Sequence, residues 1–250
     1  YEIGFHSYVH ENPLKLDETD ERRIYKYAME LFEKHVGRRP AGFRSAAWDL
    51  TASTIQIVQE MGFFYESSMM ADESPYMLLS EGAETGLVEL PVEWILDDWP
   101  LFQISWPAGH VAVRNAADVM SIWKDEFDVA HAEGTMFLLT MHPQVIGHRY
   151  RIKMLDELIT YMKSKGDVWF ATHEEIARYV KAQAGLERGF PPGAETMVIE
   201  VLENPVTGET MRVLESTAET FVIEYALKPH GEIPLEHFHP HIEQEIAVTS

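Results

Sequence analysis

The sequence predicts an α/β fold over residues 1–182 and a small all-β segment over residues 196–250, joined by a linker at 183–195. Two patterns lead there. In the first part, short apolar runs alternate with stretches whose apolar residues recur at helical spacing, the texture of parallel βα units. Past Gly185–Gly193, with Pro191-Pro192, that helical period vanishes, and short strand-like runs separated by turn residues replace it.

The elements follow in order. Glu2 to Phe5 reads as the end of a short strand that breaks at His6-Ser7-Tyr8-Val9-His10, and Glu11-Asn12-Pro13 interrupts the chain. Thr19-Asp20-Glu21 opens a helix with acidic residues at its positive end. Ile24, Tyr27, Ala28, Leu31, Phe32 and Val36 share one face of it, and Gly37 stops it. Ala41 to Arg44 is a short strand, Thr51 to Met61 a helix ending at Gly62, and Phe63-Phe64-Tyr65 the next strand. Residues 71–86 read as an acidic loop with a short run at Tyr76 to Leu79, and Leu87 to Val92 as a strand opening into Asp97-Asp98-Trp99-Pro100. Asn115 to His131 is a helix with Val119, Ile122, Trp123 and Phe127 inward. Met136 to Met141 is a nearly continuous apolar run, as expected of a strand buried on both faces. An amphipathic helix over Arg151 to Lys165, a strand at Val168-Trp169-Phe170 and a capping box at Thr172-His173-Glu174-Glu175 complete this part.

Composition narrows the partners. Acidic residues number 41 against 20 basic ones, a formal charge of −21, and that field repels phosphate backbones. Nucleic acid and anionic membrane are therefore not expected partners, and no apolar run approaches the ~20 residues of a membrane span. With no cysteine, disulfides, thiolate nucleophiles and Cys-based zinc sites drop out together. The compartment stays undecided.

The chemistry centres on histidine. His6 and His10 are four residues apart; on an extended strand they would stand ~13 Å apart, whereas on a helical turn they share a face. Neutral imidazole is a common zinc ligand. Downstream, in order, come Phe43-Arg44-Ser45-Ala46-Ala47-Trp48, then Leu96-Asp97-Asp98-Trp99, then Leu138-Leu139-Thr140-Met141-His142-Pro143-Gln144. Together these resemble the NodB-type polysaccharide deacetylases, metal-dependent amide hydrolases. The wording from His142 to Arg149, with Val168-Trp169-Phe170-Ala171-Thr172, is similar to the branch holding peptidoglycan-deacetylase-like proteins and metal-independent allantoinases.

The resemblance implies an irregular (β/α) barrel over residues 1–182, with His6 and His10 as ligands of a divalent metal, zinc by the family's habit. It implies His142 as the acid for the leaving nitrogen and Arg44 as the residue orienting an aspartate base. Asp98 would hold the His142 imidazole, with Asp97 an equal candidate. Trp99 would wall the substrate pocket, and Trp48 is either core or substrate platform. The family's first motif, a strand ending in paired aspartates, has no counterpart here, which predicts a barrel lacking its start and a poor catalyst; Asp49 is the first residue to suspect of filling that vacancy. An unpaired sheet edge predicts self-association.

The end of the chain, Gly231 through His237, His239 and Glu243, resembles the first cupin motif. That implies a second, weaker divalent-metal site in a cupin whose later strands are missing. The functions this reading supports are deacetylation of N-acetylated sugars or peptidoglycan, ring opening of cyclic amides or ureides, or a non-catalytic barrel joined to a cupin that binds small molecules.

Overall fold

The computed structural model describes residues 1–80, 83–105, 110–111, 114–187, 200–203, 210–216, 220–226 and 243–249. They fall into two compact units, Tyr1–Pro91 with Thr172–Ser250, and Val92–Ala171.

In the first unit, Asp17 caps α1 (Glu18–Val36) by accepting from the backbone of Asp20, and Gly37 ends it in the left-handed conformation that glycine adopts without penalty. Strand β1 (Gly42–Phe43) follows. Thr51 and Thr54 form a reciprocal capping box on α2 (Ala52–Glu60). Strands β2 (Tyr65–Glu66), β3 (Tyr76–Ser80) and β4 (Ala83–Glu89) come next. β1, β2 and β4 pair in parallel, while β3 and β4 are antiparallel, with an irregularity between Met77 and Leu79. The stretch expected to be a loop over 71–86 thus contains most of a hairpin. Its alternating run, too short to stand out alone, gains a partner in Ala83–Glu89.

The residues before His6 do not form a regular strand. Phe5 makes one parallel bridge to Phe43, with its N–H on the Gly42 carbonyl (2.8 Å) and its carbonyl receiving the Arg44 N–H (2.9 Å). Below that bridge, Phe5 packs against Tyr25, Phe43 and Phe63 at ring separations of 5.7, 6.0 and 5.4 Å. All four rings are buried; such aromatic contacts contribute about 0.5–1.5 kcal/mol each beyond area burial. Gly42 is required here because a Cβ would fall 1.8 Å from the Tyr65 ring.

In the second unit, Asp97 caps the short α3 (Asp98–Phe102). After the two-stranded pair β5 (Ile104–Ser105) and β6 (His110–Val111) come α4 (Ala116–Glu133), α5 (Pro143–Ile146) and α6 (Arg149–Ser164). Val119, Trp123, Phe127, Val145 and Leu158 form the core between these helices. The run Met136 to Met141 is not a strand buried on both faces. It makes a single parallel bridge, Asp97 to Thr140, and Met141 is 39% exposed. Val168-Trp169-Phe170 likewise forms no strand, and Trp169 and Phe170 are more than half exposed. In both places apolar composition suggested a strand, and among the described residues only the bridge at Thr140 supplies any of the pairing a strand needs.

Returning to the first unit, Thr172 and Glu175 form the expected capping box at the start of α7 (His173–Glu187). The helix runs on through the first residues of the expected linker. Beyond it lie β7 (Glu200–Glu203), β8 (Thr210–Ser216), β9 (Thr220–Ala226) and β10 (Glu243–Thr249). β7, β8 and β9 are antiparallel neighbours, and β10 is parallel to both β9 and β3, giving an eight-stranded mixed sheet in the order β1-β2-β4-β3-β10-β9-β8-β7. His237 and His239 lie outside the described residues, and Glu243 is described only as the first residue of β10. No described helix is long and apolar enough to cross a membrane.

Candidate functional site

The Phe5–Phe43 bridge delivers His6 to the carbonyl of Arg44. A carbonyl can only accept, so His6 Nδ1 carries the proton it shares with the Arg44 oxygen at 2.8 Å, and the ring's lone pair sits on Nε2. The His10 ring lies 5.0 Å away, edge to face. The expected helical turn between the two histidines is absent. Ser7 and His10 instead adopt left-handed backbone angles, φ 62° and 65°, and the loop is folded around one carboxylate. Glu11 accepts from the Ser7 hydroxyl and from the N–H groups of Tyr8 (3.2 Å) and Val9 (3.0 Å). Partial burial works to raise the Glu11 pKa, but the bonds from Ser7, Val9 and Tyr8 outweigh it and hold the carboxyl below its usual range.

Arg44 does more than present its carbonyl. Its guanidinium donates through Nε to the Ser67 carbonyl (2.8 Å) and through Nη2 to the Ser67 hydroxyl (2.6 Å). The chain then turns sharply through Ala47 and Trp48, both at positive φ (56° and 60°), a conformation non-glycine residues rarely adopt and one found enriched at functional sites. Trp48 is half-buried, and the Asp49 carboxylate accepts from the Asn12 amide.

Residues that sequence reading missed lie behind Arg44. Glu66 on β2 and Glu89 on β4 are direct neighbours in the sheet register, and both are completely buried. Glu66 accepts from Ser68 N (2.9 Å) and from the Ser68 hydroxyl; Glu89 accepts from Ser68 N (3.1 Å) and Met69 N (3.0 Å). Burial first, then the charge and hydrogen bonding of Glu66, pushes Glu89 well above the usual carboxylate range. The signal was a single carboxylate interrupting each of two apolar strands, Phe63 to Glu66 and Leu87 to Leu90.

In the second unit the paired aspartates stand differently toward His142. Asp98, fully buried, accepts from His142 Nδ1 at 2.7 Å and from the His142 backbone N–H at 3.1 and 3.0 Å. Asp97 stands farther off, 3.6 Å from Nδ1, and spends one oxygen capping α3 through Trp99 N (2.7 Å). The arrangement is fixed by backbone bonds from Asp98 N to the Thr140 carbonyl (3.1 Å) and from Thr140 N to the Leu96 carbonyl (2.8 Å). The buried Trp123 indole adds a bond to the Ile95 carbonyl (2.9 Å). With Nδ1–H on a carboxylate, Nε2 is the atom His142 presents outward, and the Trp99 ring lies against it, 5.2 Å between centroids.

Asp97, Asp98 and His142 are also the one group of three potential ligands close enough to share a cation among the described residues. Their present bonding suits a carboxylate–imidazole pair better. Asp98 already satisfies two His142 donors, and a cation on Nδ1 would displace that proton.

No protein-family model matches the chain. It is 27% identical over 202 residues to the peptidoglycan deacetylase of Helicobacter pylori, covering 71% of this chain and 69% of the relative. Among solved structures it is similar to one from Mycobacterium smegmatis described as a polysaccharide deacetylase, at 34% identity and a TM-score of 0.68. It is also similar to PuuE allantoinase, at 28% identity and a TM-score of 0.64. These matches cover 74% and 73% of this chain, and the chain spans 64% and 59% of the respective structures. Its relatives thus include polysaccharide and peptidoglycan deacetylases by name as well as an allantoinase, and its α/β fold with a mixed sheet matches the deacetylase structures.

Proposed function

We propose that the chain is a metal-dependent hydrolase of non-peptide C–N bonds that removes acetyl groups from N-acetylated sugars or peptidoglycan. The observation that carries the reading is the His6–Arg44 contact. Binding Nδ1–H to a backbone carbonyl is how metal-ligating histidines are oriented, and it aims the Nε2 lone pair of His6 at a cation that His10, 5.0 Å away, would share. The donor set fits zinc or a similar divalent ion, although catalytic zinc usually has three protein ligands plus water. Such an ion supplies a water of lowered pKa and a positive charge for the developing oxyanion.

The chain's own residues take the remaining roles. Arg44, pinned by Ser67, holds His6 in one tautomer. Asp98 accepts from Nδ1–H, so Nε2 is the position that, protonated in the imidazolium form by a proton taken from solvent, passes that proton to the departing nitrogen. Trp99 restricts the imidazole on one side and would pack against a sugar ring.

The test is calorimetric titration with zinc, together with turnover of N-acetylglucosamine oligomers. With two histidines where catalytic zinc usually has three protein ligands, weak one-to-one binding and slow acetate release, both lost on His6→Ala, are expected. Acetate release that persists in His6→Ala with zinc removed would overturn the metal-dependent reading. The similarity to an allantoinase supports a second reading, hydrolysis of a cyclic ureide; ring opening of allantoin without acetate release would select it.

A further inference from the structure

The mechanism leaves the Glu66–Glu89 pair unused, yet two carboxylates buried face to face are costly and need an account. Like charges opposite each other on neighbouring strands repel, and without water neither is screened. Tyr76 from β3 faces the pair, and burial and then the charges of Glu89 and Glu66 push its phenol further from ionisation; Tyr25 from α1 is pushed the same way by burial and then by Glu21, with Glu66 a minor contributor. The second oxygen of Glu89 receives no donor, and its neighbour Glu66 is itself an acceptor. A proton on Glu89 answers both problems, since it removes one charge and turns two acceptors into a donor and an acceptor.

The pair is also joined to the His6 site by an unbroken series of bonds. Glu66 and Glu89 hold Ser68 by its N–H, and Glu66 holds its hydroxyl. The Ser68 oxygen receives the Ser45 N–H at 2.8 Å. Ser67, between them in sequence, accepts both Arg44 donors and gives its own hydroxyl to the Leu90 carbonyl (2.7 Å). The Arg44 carbonyl then takes His6. We propose that Glu66 and Glu89 are positioning residues that hold one proton between them and, through Ser67 and Ser68, set the backbone of Arg44-Ser45 and with it the tautomer and aim of His6. This rests on the reading of His6 as a metal ligand only for its consequence, not for the linkage itself.

Three variants of the full chain test it. Glu89→Gln replaces a protonated acid by a neutral isostere, so imidazole nitrogen NMR of the zinc-free protein should still show His6 as the Nδ1–H tautomer. Infrared spectroscopy at pH 8 should show the C=O stretch of a protonated carboxyl in the wild type, and Glu89→Gln should abolish it. Glu66→Leu removes the acceptor for Ser68, and should let His6 drift to the other tautomer and weaken zinc about 10–100-fold, the usual effect of losing an outer-shell partner. Should Glu66→Leu not fold by circular dichroism, Ser68→Ala makes the milder cut at the Ser45 N–H with the same expected direction. Absence of the carboxyl band, or folded Glu66→Leu and Ser68→Ala proteins with His6 unchanged, would overturn the proposal. Failure of the wild type to bind zinc, with the NMR and infrared results as expected, would instead remove the metal reading and leave this linkage standing.

Discussion

Lowering the pH should destabilise this protein through His173, and the size of the effect can be worked out. His173 opens α7 with its ring stacked on Tyr65, 5.7 Å between centroids, and its Nε2 has no hydrogen-bond partner in the fold. Burial, and then the Arg44 charge, lowers its pKa from 6.5 to about 4, against a smaller opposing pull from Glu2. The folded state thus resists a proton that the unfolded chain accepts. Stability is whole above pH 6.5, falls as the pH drops below it, and stops falling near pH 4. At 1.36 kcal/mol per unit the complete loss is about 3 kcal/mol, of which about 2 kcal/mol has accrued by pH 5. Other groups titrate in the same range; Glu89, raised in the fold, contributes stability at low pH that is lost as the pH rises. Comparison with His173→Phe cancels these, because Phe keeps the stacking face and cannot be protonated. Urea unfolding of both proteins at pH 7.5 and pH 5 should show the wild type losing about 2 kcal/mol relative to the variant. An unchanged difference between the two pH values would refute the claim that His173 is buried neutral.

Two substitutions probe the second unit. His142→Ala should lower turnover by about 10²–10⁴-fold, the range for a general acid, while zinc content stays the same; loss of bound zinc would instead make His142 a ligand. Asp98→Asn keeps the shape of the pair but offers an amide in place of a carboxylate, so imidazole nitrogen NMR should show His142 gaining the Nε2–H tautomer, and turnover should fall with it. Unchanged tautomer and turnover would show that Asp98 does not orient the imidazole.

What could be read in the sequence, and what could not, separates along physical lines. The helices α1, α2 and α4 were legible because apolar periodicity agrees with end signals at Gly37, Gly62 and Asn115, whereas the Asp17 cap, the Thr54 half of the capping box and the Gly134 stop emerge only in the structure. Apolar runs were the poorer guide, since Met136 to Met141 carries strand composition but strand formation needs a partner, and only Thr140 finds one. Candidate site residues were legible by type and not by contact. The order of Asp97 and Asp98 in the chain says nothing about which meets His142; in the fold Asp97 caps α3 and Asp98, one residue on, takes the imidazole at 2.7 Å. The His6–His10 turn failed as a local prediction for a related reason. Its shape depends on Glu11 collecting donors from Ser7, Tyr8 and Val9, a three-way arrangement that no periodicity encodes. Glu66 and Glu89 stayed hidden because each alone is only one polar residue in a short strand. Their meaning appears when β2 and β4 pair in register and place two acids where the fold can tolerate one charge, directly behind the arginine that holds His6.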